Sequence, residues 1–116
     1  MMWVARQQND IQRLNDEFRG AGPVQTQAGL WVMTRGVLAL GPEGVADAVK
    51  VVRWFDVFTE ANDPYGTHDF GAFELWGDHL FWKIECFNQA MDAASPDDAD
   101  STVTCRVLTI MLASEY

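Results

Sequence analysis

Residues 62–87 read NDPYGTHDFGAFELWGDHLFWKIECF, and this stretch decides the fold. Its second half holds two segments in which apolar and polar residues alternate, separated by the turn-forming pair Gly77 and Asp78. A two-residue turn between such segments predicts a β-hairpin in which Trp76 lies opposite His79.

This register gives the predicted hairpin one apolar face and one mixed face. The apolar face belongs in the core, continues to Cys86, and pairs Leu75 with Leu80, Phe73 with Trp82 and Gly71 with Ile84. The mixed face combines aromatic and charged side chains, as protein interfaces do. Either the first or last helix covers it, or a partner binds it. Its residues are Phe70, Ala72, Glu74, Trp76, His79, Phe81, Lys83 and Glu85.

Three further segments show the spacing of helices. Residues 3–19 predict a first helix. Residues 41–58 predict a second, with Pro42 near its first position and Glu43 in its first turn. The string SPDD at residues 95–98 resembles a helix start, and the wide apolar stripe over residues 103–112 predicts a third helix. The stripe of the first helix consists of Val4, Ile11, Leu14 and Phe18.

Residues 30–40 are rich in Val, Trp, Thr and Met and predict a strand, in which Gly36 marks a bulge or a close backbone approach. The predicted order is therefore α-β-α-β-β-α. We expect a single domain over residues 1–116 of the α+β class, with a three-stranded antiparallel sheet and three helices packed on one face.

The net charge of −9 is unevenly distributed along the chain. Residues 1–55 carry six basic and five acidic side chains, whereas residues 56–116 carry two basic and twelve acidic ones. Such an acidic half opposes direct binding to nucleic acid and favours partners with basic surfaces. Solubility alone is the other explanation of the acidity.

Composition sets further bounds. A chain of 116 residues with 48% hydrophobic residues can bury a core without a metal or a disulfide. Cys86 and Cys105 lack metal-ligand spacing and are expected to be reduced core residues. No run approaches the roughly 18 apolar residues of a membrane span, and residues 1–8 lack the features of a signal peptide. We therefore expect a cytoplasmic protein that does not bind membranes.

Several strings resemble a bacterial family of unknown function: NDPYGTHDFGAF at residues 62–73, FWKIE at 81–85 and RVLTIMLASEY at 106–116. IQRLNDEFR at residues 11–19 also resembles the opening helix of that family. Its members are small, single-domain proteins, and many are similar to genes carried on plasmids and other mobile elements. The resemblance implies no established activity. The chain departs from the family pattern at residues 86–91, where more aspartates and tyrosines are expected.

The loop that precedes the hairpin invites a chemical interpretation, because it places four polar groups within seven residues. Their spacing matches no zinc or calcium motif. A structural loop is the favoured interpretation, with a turn that begins at Asp63, a positive φ at Gly66 and a backbone hydrogen bond from His68 or Asp69. A protein-binding loop and a catalytic or metal site are the less favoured alternatives, and no catalytic residue, metal or cofactor is assigned. The predicted structural loop comprises Asp63, Pro64, Tyr65, Gly66, His68 and Asp69.

The expected function is that of a non-enzymatic binding protein whose acidic half docks on a basic protein surface. A concrete version is a mobile-element-encoded inhibitor of a host nucleic-acid-binding defence complex, of the anti-CRISPR or anti-restriction type. The alternatives are a small hydrolase-like enzyme that uses His68 with Asp63 or Asp69, and a homo-oligomer, such as a homodimer, joined by the aromatic hairpin face. The predicted partner-binding residues are Glu60, Glu74, Trp76, Asp78, Phe81, Asp92, Asp97 and Asp98.

Overall fold

The structure is a computed structural model that describes residues 2–23 and 25–116, with side chains described for residues 7–23 and 25–116. The predicted contribution of Val4 to the first helix lies outside the described side chains. Within the described residues, the elements in chain order are α1 (Met2–Ala21), β1 (Gly29–Met33), α2 (Arg35–Leu38), α3 (Gly41–Arg53), β2 (Phe70–Leu75), β3 (Asp78–Phe87), β4 (Cys105–Leu112) and a 3-10 turn (Ala113–Glu115).

The four strands form one mixed sheet in the order β1-β4-β3-β2. β3 pairs antiparallel with both β2 and β4, whereas β1 pairs parallel with β4. The α+β class is confirmed, but the predicted sheet of three antiparallel strands is wrong. The additional strand is β4, which lies in the interior of the sheet between β1 and β3.

β4 occupies the segment that the sequence predicted to be the third helix. Almost all of its residues are buried, although they point alternately to the two faces of the sheet. A strand buried on both faces reads as a continuous apolar run, which resembles the wide stripe of a buried helix. The β-branched residues Val107, Thr109 and Ile110 favour the strand. The SPDD string does not begin a helix; Ser95 and Asp97 accept backbone hydrogen bonds that shape a loop.

β1 is shorter than predicted and ends at Met33. The Thr34 hydroxyl then accepts a hydrogen bond from the Val37 N–H and begins α2, so residues 34–40 do not continue the strand. Gly36 lies in α2, where the side chains of Leu112 and Glu115 leave no room for a Cβ. The close approach predicted at this glycine therefore exists, but without a bulge.

α3 begins next to Pro42 as predicted but ends at Arg53, five residues before the predicted end at residue 58. It buries Gly44, Ala48 and Val52 against the sheet. The following residues, 54–69, form an extended loop rather than another helical turn.

The hairpin has the predicted faces in a different register. Its turn is Trp76–Gly77, with φ of +55° and +85°, and Leu75 pairs with Asp78. Two successive positive φ values are typical of the type I′ hairpin turn, which normally takes Asn-Gly rather than Trp-Gly. The pairing therefore slips by two residues relative to the prediction. Because side chains alternate with a period of two, this slip changes the partners but leaves the side chains of residues 70–75 and 79–85 on their predicted faces. Trp76, predicted on the mixed face, instead lies in the turn with its ring near Gly44 of α3.

The core lies between the helices and the apolar side of the sheet. Leu80, Trp82, Leu108 and Ile110 are fully buried from the sheet, and α3 contributes residues such as Val52. In the described part of the chain, no helix combines the length and the apolarity that a membrane crossing requires.

Candidate functional site

The loop before β2 is organised by a buried carboxylate at Asp63. Its Oδ1 accepts hydrogen bonds from the backbone N–H groups of Thr67, at 3.1 Å, and His68, at 3.2 Å. Gly66 has φ of +66°, and its N–H donates to the Asp63 carbonyl. Tyr65 and Pro64 lie at the exposed tip of the loop. The acceptor for the Thr67 and His68 N–H groups is Asp63, whereas the predicted candidate Asp69 accepts from its own backbone N–H.

His68 is held in a left-handed backbone conformation, with φ of +55°. Its ring stacks on Phe58 with the ring centroids 3.7 Å apart and the planes 5° from parallel. His68 Nδ1 lies 2.9 Å from Asp16 Oδ1, and Nε2 lies 3.2 Å from Gln12 Nε2. Because a carboxylate only accepts hydrogen bonds, Nδ1 donates to Asp16, while Nε2 lies between the Gln12 amide and Asp63 Oδ2, which is 3.6 Å away. Both nitrogens of the ring are thus engaged by α1.

Asp16 also pairs with Arg19, whose Nη2 lies 2.8 Å from Asp16 Oδ1. Arg19 is buried, and its Nη1 donates to the carbonyls of Val52 and Phe55, at 3.0 and 2.9 Å. The guanidinium also lies over the Trp82 ring, 5.1 Å from the centroid. A cation at the carbonyl end of a helix complements the helix dipole, so Arg19 fastens α1 to the end of α3.

Asn15 connects the same loop to the sheet. Its Nδ2 donates to the Thr67 carbonyl at 2.9 Å, and its Oδ1 accepts from Arg106 Nε at 2.7 Å. Arg106 Nη2 in turn donates to the Asp98 carbonyl. Asn15 and Arg106 are both almost fully buried. These bonds join α1, the loop, β4 and the segment before β4 into one polar network.

An enzyme that used His68 would need a concave site beside the ring. Four cavities in the described part of the chain are lined by residues other than His68. His68 faces α1, whereas Asp69 lines a groove with Lys83 and Tyr116. Partial burial and the neighbouring Asp63 carboxylate raise the pKa of Asp69. Of the two predicted carboxylate partners of His68, the structure brings Asp63 close, with Oδ2 3.6 Å from Nε2, whereas Asp69 lies in the groove with Lys83 and Tyr116.

The eight predicted partner-binding residues fall into separate groups. Asp78 begins β3 near the turn, whereas the loops beyond its other end carry Asp92 and Asp97. A strand of 10 residues spans roughly 30 Å, so these groups lie too far apart to form one compact acidic patch. Glu74 and Trp76 belong to the turn group, Asp98 to the loop group, Phe81 lies between them on β3, and Glu60 lies in the loop after α3.

Burial raises the pKa of two groups near the C-terminal end of β3, one carboxyl and one thiol. It raises the pKa of Asp98, against the opposing attraction of Arg106. It also raises the pKa of the Cys86 thiol to about 11. Cys86 and Cys105 are both free thiols. Among the described residues, no three His, Cys, Asp or Glu side chains cluster closely enough to hold a metal ion.

The mixed face of the hairpin continues across the whole sheet, and we call this side the open face. The side chains that α1, α2 and α3 bury in the described structure pack on the opposite face of the sheet. The open face therefore carries apolar and charged groups side by side, with Lys83 Nζ 3.1 Å from Glu85 Oε1. By strand register its residues include Leu30, Val32, Phe70, Phe81, Lys83, Glu85, Val107, Thr109 and Met111.

Three aromatic rings meet on the open face. Phe70 and Phe81 have ring centroids 5.2 Å apart, and Tyr116 stands edge-on to Phe81 at 5.5 Å. Tyr116 is 74% exposed. The groove beside it has a volume of about 400 Å³ and is lined by both acidic and apolar groups. The sequence left open what covers this face. In the described structure, Tyr116 packs against Phe70 and Phe81 there, and the helices pack on the opposite face.

The sequence did not identify the residues of α1 that hold the loop. Gln12, Asn15, Asp16 and Arg19 looked like the solvent face of an amphipathic helix. One signal was present in the sequence: Asn15 and Arg19 are spaced i, i+4 and directly follow Leu14 and Phe18, two residues of the predicted apolar stripe. Polar residues at that place on a helix lie at the edge of its buried stripe.

Comparison with known proteins gives one match. A family model described as "Protein of unknown function (DUF3768)" matches residues 33–115. The matched region includes the hairpin and β4 but not residues 11–19, to which the resemblance had been extended. No curated protein matches the chain, and no solved structure matches it.

Proposed function

The chain belongs to the DUF3768 family of proteins of unknown function, and we propose that it is a non-enzymatic acidic binding protein that docks on a basic protein surface. The observation that carries this proposal is the open face of the sheet, where two partly buried phenylalanines and the exposed Tyr116 form an aromatic cluster next to carboxylates. Aromatic side chains in a polar surround are the composition of interface centres.

The aromatic cluster of Phe70, Phe81 and Tyr116 is the proposed centre of the contact. Such rings supply a large apolar area that a partner can remove from water. The edge strands extend the same surface, because Val32 on β1 is also exposed.

Charge selects the class of partner. The open face and its rim carry three carboxylates, those of Asp69, Glu74 and Glu85, but one lysine. This lysine, Lys83, is already paired with Glu85. A second copy of the chain would bring this acidic face against itself, and like charges facing each other oppose association. A basic surface complements it instead. The favoured partner is therefore a protein with a cationic face, as in nucleic-acid-binding proteins.

In its concrete form the proposal is an inhibitor that occupies the nucleic-acid-binding face of a host defence complex, of the anti-CRISPR or anti-restriction type. The acidity of residues 56–116 supports this form, together with the resemblance to genes on mobile elements. An acidic surface that imitates the charge of nucleic acid would compete with it for the same basic groups.

The test is capture of partners from a bacterial host lysate at low and high salt. We expect the wild-type chain to recover a basic protein at low salt, and added DNA to release it. The double variant Glu74→Lys, Glu85→Lys should lose this protein. The matched control is Glu43→Lys, Asp56→Lys, which makes the same change of net charge at exposed positions outside the open face and should retain it.

Two results would contradict the proposal. One is the recovery of no basic partner at any salt concentration. The other is equal capture by the open-face variant and its control, with melting temperatures showing that both are folded. Light scattering on the purified chain should show a monomer, because a homodimer through the open face would leave no room for the basic partner.

A further inference from the structure

A second cavity lies on the opposite side of the molecule from the open face, between α1 and the start of β4. Its volume is about 390 Å³, within the range of small-molecule sites. Most of the wall is apolar and comes from α1 and from the segment before β1. The lining includes Leu14, Phe18, Ala21, Ala28, Thr104 and Arg106.

Arg106 is the unusual member of this wall. It is only 3% exposed and stands on β4. Nε donates to Asn15 and Nη2 to the Asp98 carbonyl, whereas Nη1 makes no hydrogen bond within the described residues. No carboxylate of the described residues lies within salt-bridge distance of this guanidinium. Both of its bonded acceptors are neutral amide oxygens.

A buried charge without a counter-charge is costly, and burial of a guanidinium normally includes a carboxylate or a phosphate. Arg106 attracts the Asp98 carboxylate, and this attraction opposes the rise in the pKa of Asp98 that burial causes. Its carboxylate nevertheless makes no salt bridge with the arginine. The cavity therefore combines an apolar wall with a cation that has an unused donor.

We propose that this cavity binds a small apolar molecule that carries one carboxylate. The carboxylate would accept from Arg106 Nη1, and the hydrocarbon part would lie against Leu14 and Phe18. Glu17 at the rim, with its side chain 61% exposed, disfavours ligands that carry several negative charges. A monocarboxylate with an apolar tail suits this combination better than a phosphate ester does. The inference is independent of the proposed docking function, because it concerns the other side of the sheet.

The probe is octanoate, with octanol as the uncharged control, titrated into the full chain and followed by amide chemical shifts in NMR. We expect octanoate to bind with a Kd of about 1 mM or tighter and to shift the amides of Ala21, Ala28 and Thr104. Octanol should shift the same amides but bind about tenfold more weakly, because it lacks the charge-assisted hydrogen bond.

Two variants decide the outcome. Ala21→Phe fills the cavity from an exposed helix end, so it should fold normally and lose octanoate binding. Arg106→Gln should weaken octanoate by about tenfold or more and leave octanol within about twofold. Should Arg106→Gln fail to fold, the Ala21→Phe result still decides. The proposal is overturned if wild-type chain shows no shifts at these amides, or if Ala21→Phe binds octanoate as tightly as wild type.

Discussion

Replacement of Asp63 by alanine tests the central structural claim about the loop. The Asp63 carboxylate is buried, with 5% of its side chain exposed, and its Oδ1 is the acceptor for two backbone N–H groups, those of Thr67 and His68. Removing the acceptor leaves two donors without a partner in a partly buried loop. Each such loss costs about 1–3 kcal/mol, and partial access to water lowers the cost, so we expect Asp63→Ala to lower the free energy of unfolding by about 2–4 kcal/mol.

The assay is urea unfolding followed by tryptophan fluorescence, because Trp82 lies in the core next to Phe58 and reports loss of packing. Asp63→Asn keeps an acceptor oxygen and should recover part of the loss. Asp69→Ala is the comparison variant, because the Asp69 carboxylate is more exposed and is not the acceptor for the Thr67 and His68 N–H groups; it should destabilise the chain less than Asp63→Ala does, by about 1 kcal/mol or less. If Asp69→Ala destabilises the chain more than Asp63→Ala does, the assignment of the loop acceptor is wrong.

Three further predictions concern other parts of the framework. Arg19→Met keeps the side-chain volume but removes the hydrogen bond to the Phe55 carbonyl, and thermal melting should show a loss of about 2–4 kcal/mol, whereas exposed Arg13→Met should be near neutral. Gly77→Ala should cost about 1–2 kcal/mol in urea unfolding, because alanine is strained at a φ of +85°. Hydrogen bonds from the Thr34 hydroxyl and the Leu112 N–H lower the pKa of Glu115. The ionised Glu115 carboxylate therefore stabilises the fold at neutral pH, and this stabilisation is lost as the pH falls through the lowered pKa. In melts at successive pH values, Glu115→Gln should remove the part of the stability that the wild-type chain loses at acid pH. An unchanged dependence of melting temperature on pH would contradict this role of Glu115.

The sequence predicted the faces of the hairpin correctly and its register wrongly, for a single physical reason. Face assignment depends only on alternation, which survives a slip of two residues. Register depends on the turn, and Trp76 adopts a left-handed conformation that few non-glycine residues adopt. In isolation Gly77-Asp78 looks like the turn. The neighbouring contact of the Trp76 ring with Gly44 in α3 is a tertiary feature that local patterns do not reveal.

The loop network could not be predicted because its bonds join distant parts of the chain. Asp16 and His68 are 52 residues apart, and Asn15 and Arg106 are 91 apart. Periodicity predicted that α1 would be amphipathic, but the sequence does not show which polar residues at the edge of its buried stripe find partners. The loop string itself suggested chemistry, because His68 and Asp69 are adjacent. In the fold they point to different surroundings.

The exposure of the open face follows from the one large error in the predicted fold. As a helix, residues 105–112 would have been available to cover the mixed face of the hairpin. As β4, they enter the sheet beside β3 and add Val107 and Met111 to that face. Both side chains are buried, so they enlarge the packed part of this face and not its exposed surface, while the change removes one of the two possible covers. A binding function for this face thus depends on β4 being a strand, and the tendency of β-branched residues toward strands supports that state over a helix.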